Sequence, residues 1–155
     1  MLVHVLDWAF GVGVELPPGQ VALPITWLGT VVESGEISIQ RVLVVEDDPV
    51  VARTIERAVR AAGFYVKVAL NCSEARAAQG PFIVGVFDLE LPDGSGFDLA
   101  QELLKQDMVD RAVFFTACTD GSVLERVSWL GPVIGKREGI NALTRMLLGL
   151  EASTG

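Results

Sequence analysis

Four short, β-branched apolar runs in this chain each stop at a polar group, and that arrangement leaves little choice of fold. Residues 42–45 lead into Glu46-Asp47-Asp48, residues 83–87 into Asp88, residues 112–115 into Thr116-Ala117, and Val133-Ile134 into Lys136. Short apolar runs bounded by turn residues read as buried parallel strands. A further run at 64–70 shows partial alternation and reads as another strand. Helical patterns separate the runs, so the strands share one sheet and point the same way. Every polar group then falls on one rim, the carboxyl edge, where open α/β sheets bind ligands. Carboxylates, a hydroxyl and an ammonium on one rim suit a divalent cation and a phosphoryl group.

The 155 residues suffice for one domain with a full core, and half of them are hydrophobic. The formal net charge of −8 argues against nucleic acid as a partner, because phosphate binding needs a basic face. Cys72 and Cys118 lack metal-ligand spacing and read as reduced thiols. No basic residue precedes Arg41, which argues against a secretory signal. The apolar stretch at 16–32 contains Pro17, Pro18, Gly19, Pro24 and Gly29, a poor composition for a membrane helix. The expected location is cytoplasmic, with no membrane insertion.

Composition changes near residue 40. Residues 1–40 are apolar, rich in Gly and Pro and almost uncharged, and they include Trp8 and Trp27. Strands at 21–25 and 30–32 are possible there. The segment reads as an added hairpin, a partner-binding arm, or residues preceding a later true start, and the sequence leaves these open. Residues 41–150 form the regular unit, and 151–155 a tail. Within the unit, Pro49 suits the first turn of a helix whose stripe is Val51, Ile55, Ala58 and Ala62, ending at Gly63. Asp48 is read as its cap. Further helices are expected after a cap at Asn71 or Ser73, over 97–107, over 122–130 with Val123, Val127 and Leu130 aligned, and over 139–150 with Ile140, Leu143, Leu147 and Leu150 inward.

The acids carry the most chemistry. Two carboxylates about 4 Å apart repel by roughly 4 kcal/mol at an effective dielectric of 20. Glu46, Asp47 and Asp88 together are held most easily around a hard cation such as Mg²⁺. Read alone, Glu46-Asp47-Asp48-Pro49 is equally a solvated helix start. Asp88, pinned at a strand end beside a loop, is placed to attack phosphorus and form an acyl phosphate. Glu90 offers a backbone carbonyl to a metal and a side chain beside the path of an attacking water. Thr116 can donate to a phosphoryl oxygen, with the small Ala117 leaving room for the group, although Thr is also common in strands for its shape alone. Lys136 can reach the same oxygens on its long stem.

Together these residues resemble the receiver domains of two-component response regulators. The likeness runs from Arg41 to about Leu148. Its most specific pieces are Val-Leu-Val-Val-Glu-Asp-Asp-Pro at 42–49 and Phe-Asp-Leu-Glu-Leu-Pro-Asp-Gly-Ser-Gly at 87–96. The resemblance implies a flavodoxin-like, doubly wound α/β fold with five parallel strands in the order 2-1-3-4-5. It implies Asp88 as phosphoacceptor and Mg²⁺ held by Glu46, Asp47, Asp88 and the carbonyl of Glu90. Thr116, Ala117 and Lys136 would surround the phosphoryl group. The donor would be a phosphohistidine on a histidine kinase or phosphotransfer protein. The output partner would be another protein, and there would be no activity beyond self-phosphotransfer and autodephosphorylation.

Three departures from the family pattern stand out. Arg137 follows the lysine where the family usually has a proline, often with a cis bond. Val133 stands where the family often has an aromatic switch residue. The stretch from Thr116 to Lys136 is slightly short, between Gly121 and Gly131. Those at Val133 and Arg137 motivate a second reading, an interaction module on the same fold that works without phosphate, with the N-terminal arm or the altered helix-four surface as its working part. A Mg²⁺-dependent phosphohydrolase, with Asp88 as nucleophile and Glu90 as acid/base, is a third; it requires a substrate pocket and a cap that the sequence does not suggest.

Overall fold

Val42 to Val45 are all almost fully buried, as a central strand covered on both faces requires. They belong to β1 (Arg41–Val45), which pairs in parallel with β2 (Tyr65–Ala69) on one side and β3 (Val84–Phe87) on the other. β4 (Ala112–Thr116) and β5 (Val133–Gly135) complete the sheet in the order 2-1-3-4-5, all parallel. The computed structural model describes residues 30–31 and 37–152.

The two-residue period of the strands divides the core in two. Val42, Val44, Val86, Val113 and Phe115 face α1 (Pro49–Ala61) and α5 (Ile140–Ala152), meeting Ile55, Val59, Leu143 and Leu147. Leu43, Val45, Phe87 and Phe114 face α2 (Cys72–Ala77), α3 (Gly96–Lys105) and α4 (Gly121–Ser128), meeting Ala75, Leu99, Leu103 and Val127. This is the doubly wound arrangement that the resemblance implies. Crossing from one face to the other at β1 and β3 opens a crevice at the carboxyl edge.

Local chemistry sets the helix ends. Asp48 caps α1, its Oδ1 accepting from the N–H of Val50 (2.8 Å) and Val51 (3.2 Å), with Pro49 in the first turn. Asn71, rather than Ser73, caps α2 through the Glu74 N–H at 2.8 Å. α1 ends near Gly63, whose φ of 102° is one that glycine adopts without strain.

Some details differ from expectation. The buried stripe of α1 is Ala52, Ile55 and Val59, with Val51 and Ala62 only half-buried. Both stripes have helical spacing, but the sheet contacts the face centred about one position on, and the sequence alone does not fix that rotation. Ile83, read with the strand, precedes β3, and Phe82 before it forms an isolated parallel bridge to Val109. α3 stops at Lys105, and the chain then turns through Asp107 at φ 54°. α4 is short, and α5 buries Leu143 and Leu147 while Ile140 and Leu150 are half-covered. Residues 136–138, between β5 and α5, form a single 3₁₀ turn.

At the N-terminal side, Thr30–Val31 pairs antiparallel with Ile37–Ser38. The expected strand at 21–25, Trp8 and Trp27 lie outside the described residues, as do residues 153–155. No helix among the described residues is long and apolar enough to cross a membrane.

Candidate functional site

Backbone hydrogen bonds bring the acids of β1 and β3 together. The Glu46 N–H donates to the Ala69 carbonyl (3.1 Å), and the Asp88 N–H to the Val45 carbonyl (2.9 Å). Both residues therefore stay in the ladder one step past their strands. Glu46 is 1% exposed and Asp88 7%, so two carboxylates stand close together with little water. Asp47 is exposed. One oxygen each from Glu46, Asp47 and Asp88 lies within 4.8 Å of the others. Around a six-coordinate Mg²⁺, with bonds near 2.1 Å, opposed oxygens stand roughly 4 Å apart. The three acids fit such an ion with small side-chain adjustments.

Lys136 projects into this cluster from the end of β5. Its Nζ lies 2.7 Å from Asp88 Oδ2 and 2.8 Å from Glu46 Oε2. Burial pushes the Glu46 carboxyl above its ordinary pKa, and the charge of Asp88 pushes the same way; Lys136 opposes them. Burial alone would lower the Lys136 ammonium, but its bonds to Asp88 and Glu46 outweigh that and raise it. The lysine thus acts as a built-in counter-ion to the acids, a role that sequence reasoning gave to a metal alone.

Asp88 Oδ1 accepts from the Leu89 N–H at 2.7 Å, which fixes the carboxylate's rotation. Asp88, Glu90, Thr116, Ala117, Cys118, Thr119 and Asp120 line one open depression. Thr116 is 2% exposed, and its Oγ1 accepts from the Cys118 N–H at 3.1 Å, leaving its own proton free to donate. Ala117 is exposed at the rim. Glu90 is exposed as well, in a small antiparallel ribbon where Glu90–Leu91 pairs with Gly94–Ser95.

Several further residues contribute in ways the sequence reading did not assign to them. Asp93, in the turn of that ribbon, accepts from the N–H groups of Cys72 (2.7 Å) and Ser73 (3.0 Å) at the start of α2. The bond from Cys72 leads in holding the Asp93 carboxyl below its ordinary value. Burial, with Asp93 adding to it, lifts the Cys72 thiol to about 11. Gly96 abuts the Asp88 carbonyl so closely that a Cβ there would lie 1.7 Å from the oxygen. Asp120 caps α4 through Ser122 and Val123 while also facing the depression. An Asp followed by Gly-Ser and an apolar pattern is a helix-start signal, and it would have located this one.

At β5, the Lys136–Arg137 bond is trans, the one cis bond among the described residues being Gly80–Pro81. Val133 is half-buried and packs on the core around Phe114.

The family model for the response regulator receiver domain matches residues 42–146. The chain belongs to this family. Curated relatives include the transcriptional regulatory protein TrcR of Mycobacterium tuberculosis, 33% identical over 93 residues, covering 58% of this chain and 35% of TrcR. The acid tolerance regulatory protein ActR of Rhizobium meliloti is 40% identical over 63 residues, covering 39% of this chain and 32% of ActR. The matches thus span about a third of these relatives. Among solved structures, the response regulator TrrA of Thermotoga maritima, in complex with Mg²⁺ and BeF, is 25% identical with a TM-score of 0.63, over 72% of this chain and 98% of TrrA. A CheY-like receiver from Methanospirillum hungatei shares the fold at 21% identity and a TM-score of 0.66, over 76% and 100%. The receiver fold is therefore common to chains of low identity, and two-component signalling is the setting of the family.

Proposed function

We propose that this chain is a phosphoacceptor of a two-component phosphorelay, with Asp88 as the residue that receives the phosphoryl group. The observation that carries the reading is the contact of a nearly buried Asp88 with Lys136 at 2.7 Å, beside Glu46 and at the edge of the depression lined by Thr116. An Asp88 oxygen would attack the phosphorus of a phosphohistidine on a kinase or phosphotransfer protein. The P–N bond breaks as the acyl phosphate forms, and the imidazole departs with the electron pair.

Glu46, Asp47, Asp88 and the Glu90 carbonyl would hold Mg²⁺. When bound, the ion neutralises charge on the transferring phosphoryl oxygens. The chain's own groups do the remainder. The Leu89 N–H holds the Asp88 carboxylate in one rotamer. Lys136 can transfer its contact from the carboxylate to a phosphoryl oxygen. Thr116 can donate its hydroxyl proton to another, and Ala117 leaves space. Such positioning and charge neutralisation account for most of phosphoryl-transfer catalysis. The receiver unit is taken as residues 41–150, with 1–40 an appended segment, and output goes to a protein partner.

The test is intact-protein and peptide mass spectrometry after incubation with acetyl phosphate and Mg²⁺. One added phosphoryl group mapped to Asp88, and none in Asp88→Asn, is expected. No added mass in the wild type, or equal labelling of the variant, refutes the reading.

A further inference from the structure

Glu138 lies outside the acidic cluster and the depression, yet it holds the segment that carries Lys136. Its Oε1 accepts from the Gly135 N–H at 2.8 Å, an acceptor three residues ahead reaching back over the turn. The side chain lies over Gly135, where a Cβ would stand in ordinary van der Waals contact with Oε1 at 3.4 Å. The far end of the turn is closed by the Gly139 N–H donating to the Lys136 carbonyl at 3.2 Å, with Gly139 at φ 83°. On its other side Gly135 is registered opposite Thr116. The backbone of Lys136 is thus fixed from three directions, and Glu138 supplies one of them with a side chain.

A proline after the lysine would stiffen this segment through its ring. Arg137 cannot, and the trans bond at this position leaves the turn to its hydrogen bonds. We infer that Glu138 is a positioning residue for phosphoryl binding, its carboxylate clamping the Gly135 amide so that the Lys136 ammonium is held at the acceptor site. The inference rests on the phosphoacceptor reading of Asp88 and Lys136. It assigns Glu138 no contact with the phosphoryl group.

The experiment compares wild type, Glu138→Ala and Glu138→Gln. Three quantities are measured: the affinity for Mg²⁺ alone, the affinity for beryllofluoride in saturating Mg²⁺, and hydrogen exchange at the Gly135 amide. Gln keeps an oxygen that can accept from Gly135 but carries no charge, so it separates the clamp from simple electrostatics. Glu138→Ala should weaken beryllofluoride binding about five-fold and speed Gly135 exchange, the scale expected for losing one ordinary, solvent-exposed hydrogen bond. Glu138→Gln should stay close to wild type in both. Mg²⁺ affinity should hardly change, since the acids of β1 and β3 are untouched.

Wild-type beryllofluoride affinity in Glu138→Ala overturns the inference. So does an equal loss in Ala and Gln, which would make it an effect of charge. A parallel loss of Mg²⁺ affinity in Ala overturns it too, because the residue would then serve only the fold. A wild type that binds no beryllofluoride removes the phosphoacceptor reading itself, and this inference with it.

Discussion

Replacing Lys136 by Met tests whether the lysine and a metal compete for the same acids. The ammonium stands 2.7 Å from Asp88 and 2.8 Å from Glu46, and its side chain is 23% exposed. At an effective dielectric of 20, each such contact has a Coulomb energy of roughly 6 kcal/mol, most of it offset by desolvation. Breaking a buried pair typically costs about 3–5 kcal/mol. With the lysine partly open to water, the expected loss is about 2–3 kcal/mol in chelator. Glu46 and Asp88 are then left facing each other without a counter-ion. Mg²⁺ should therefore bind the variant more tightly. Even at about 6 Å in bulk water, a divalent and a univalent cation repel by roughly 1.4 kcal/mol, a tenfold effect. The assay is urea unfolding at several Mg²⁺ concentrations, since a ligand of the folded state raises stability by RT ln(1 + [L]/Kd). Lys136→Met should lose stability in chelator and recover more of it than wild type as Mg²⁺ rises. Unchanged stability in chelator together with unchanged Mg²⁺ affinity refutes the reasoning.

Gly96→Ala would drive a Cβ into the Asp88 carbonyl at 1.7 Å, so the β3–α3 connection must shift; a loss of roughly 2 kcal/mol or more by urea unfolding, with slower acetyl phosphate labelling, is expected. Glu46→Gln in chelator should be more stable than wild type at neutral pH. A carboxyl with a raised folded pKa adds most stability below its unfolded value and loses that contribution as pH rises through the folded value. The stability gap should therefore open above the ordinary 4.5, and a pH series of melts compares the two proteins. Asp120→Ala removes the α4 cap and should loosen the first turn of that helix, seen as faster amide exchange at Ser122 and Val123.

The parallel strands, and the gathering of their terminal polar residues on one rim, followed from the position of each such residue at the end of an apolar run, whereas the strand order and the meeting of Glu46 with Asp88 came from the resemblance to receiver domains. A two-residue period and a buried parallel sheet allow few alternatives, so that much was legible. Contacts that depend on a side chain turning back on its own backbone were not. The reach of Glu138 to Gly135 and of Asp93 to the start of α2 requires knowing how two loops fold, and no periodicity encodes that. The rotation of the α1 stripe was missed for a related reason. Val51-Ile55-Ala58 and Ala52-Ile55-Val59 differ by a fraction of a turn, and the seating of the helix on the sheet chooses between them. The lysine's role as counter-ion was also hidden, because its reach across β5, β4 and β3 to Glu46 is a matter of distance rather than pattern.

The loop following Asp88 is gripped at several points: Asp93 holds α2, Gly96 presses on the Asp88 carbonyl, and Arg76 on α2 meets Glu102 on α3 at 2.9 Å. The opposite wall, from Thr116 to Asp120, is secured to its own neighbours by short-range bonds within the segment. The crevice therefore has one wall tied to neighbouring elements and one tied mainly to itself. A change of shape at Asp88 would meet less resistance on the Thr116–Asp120 side than on the α2–α3 flank.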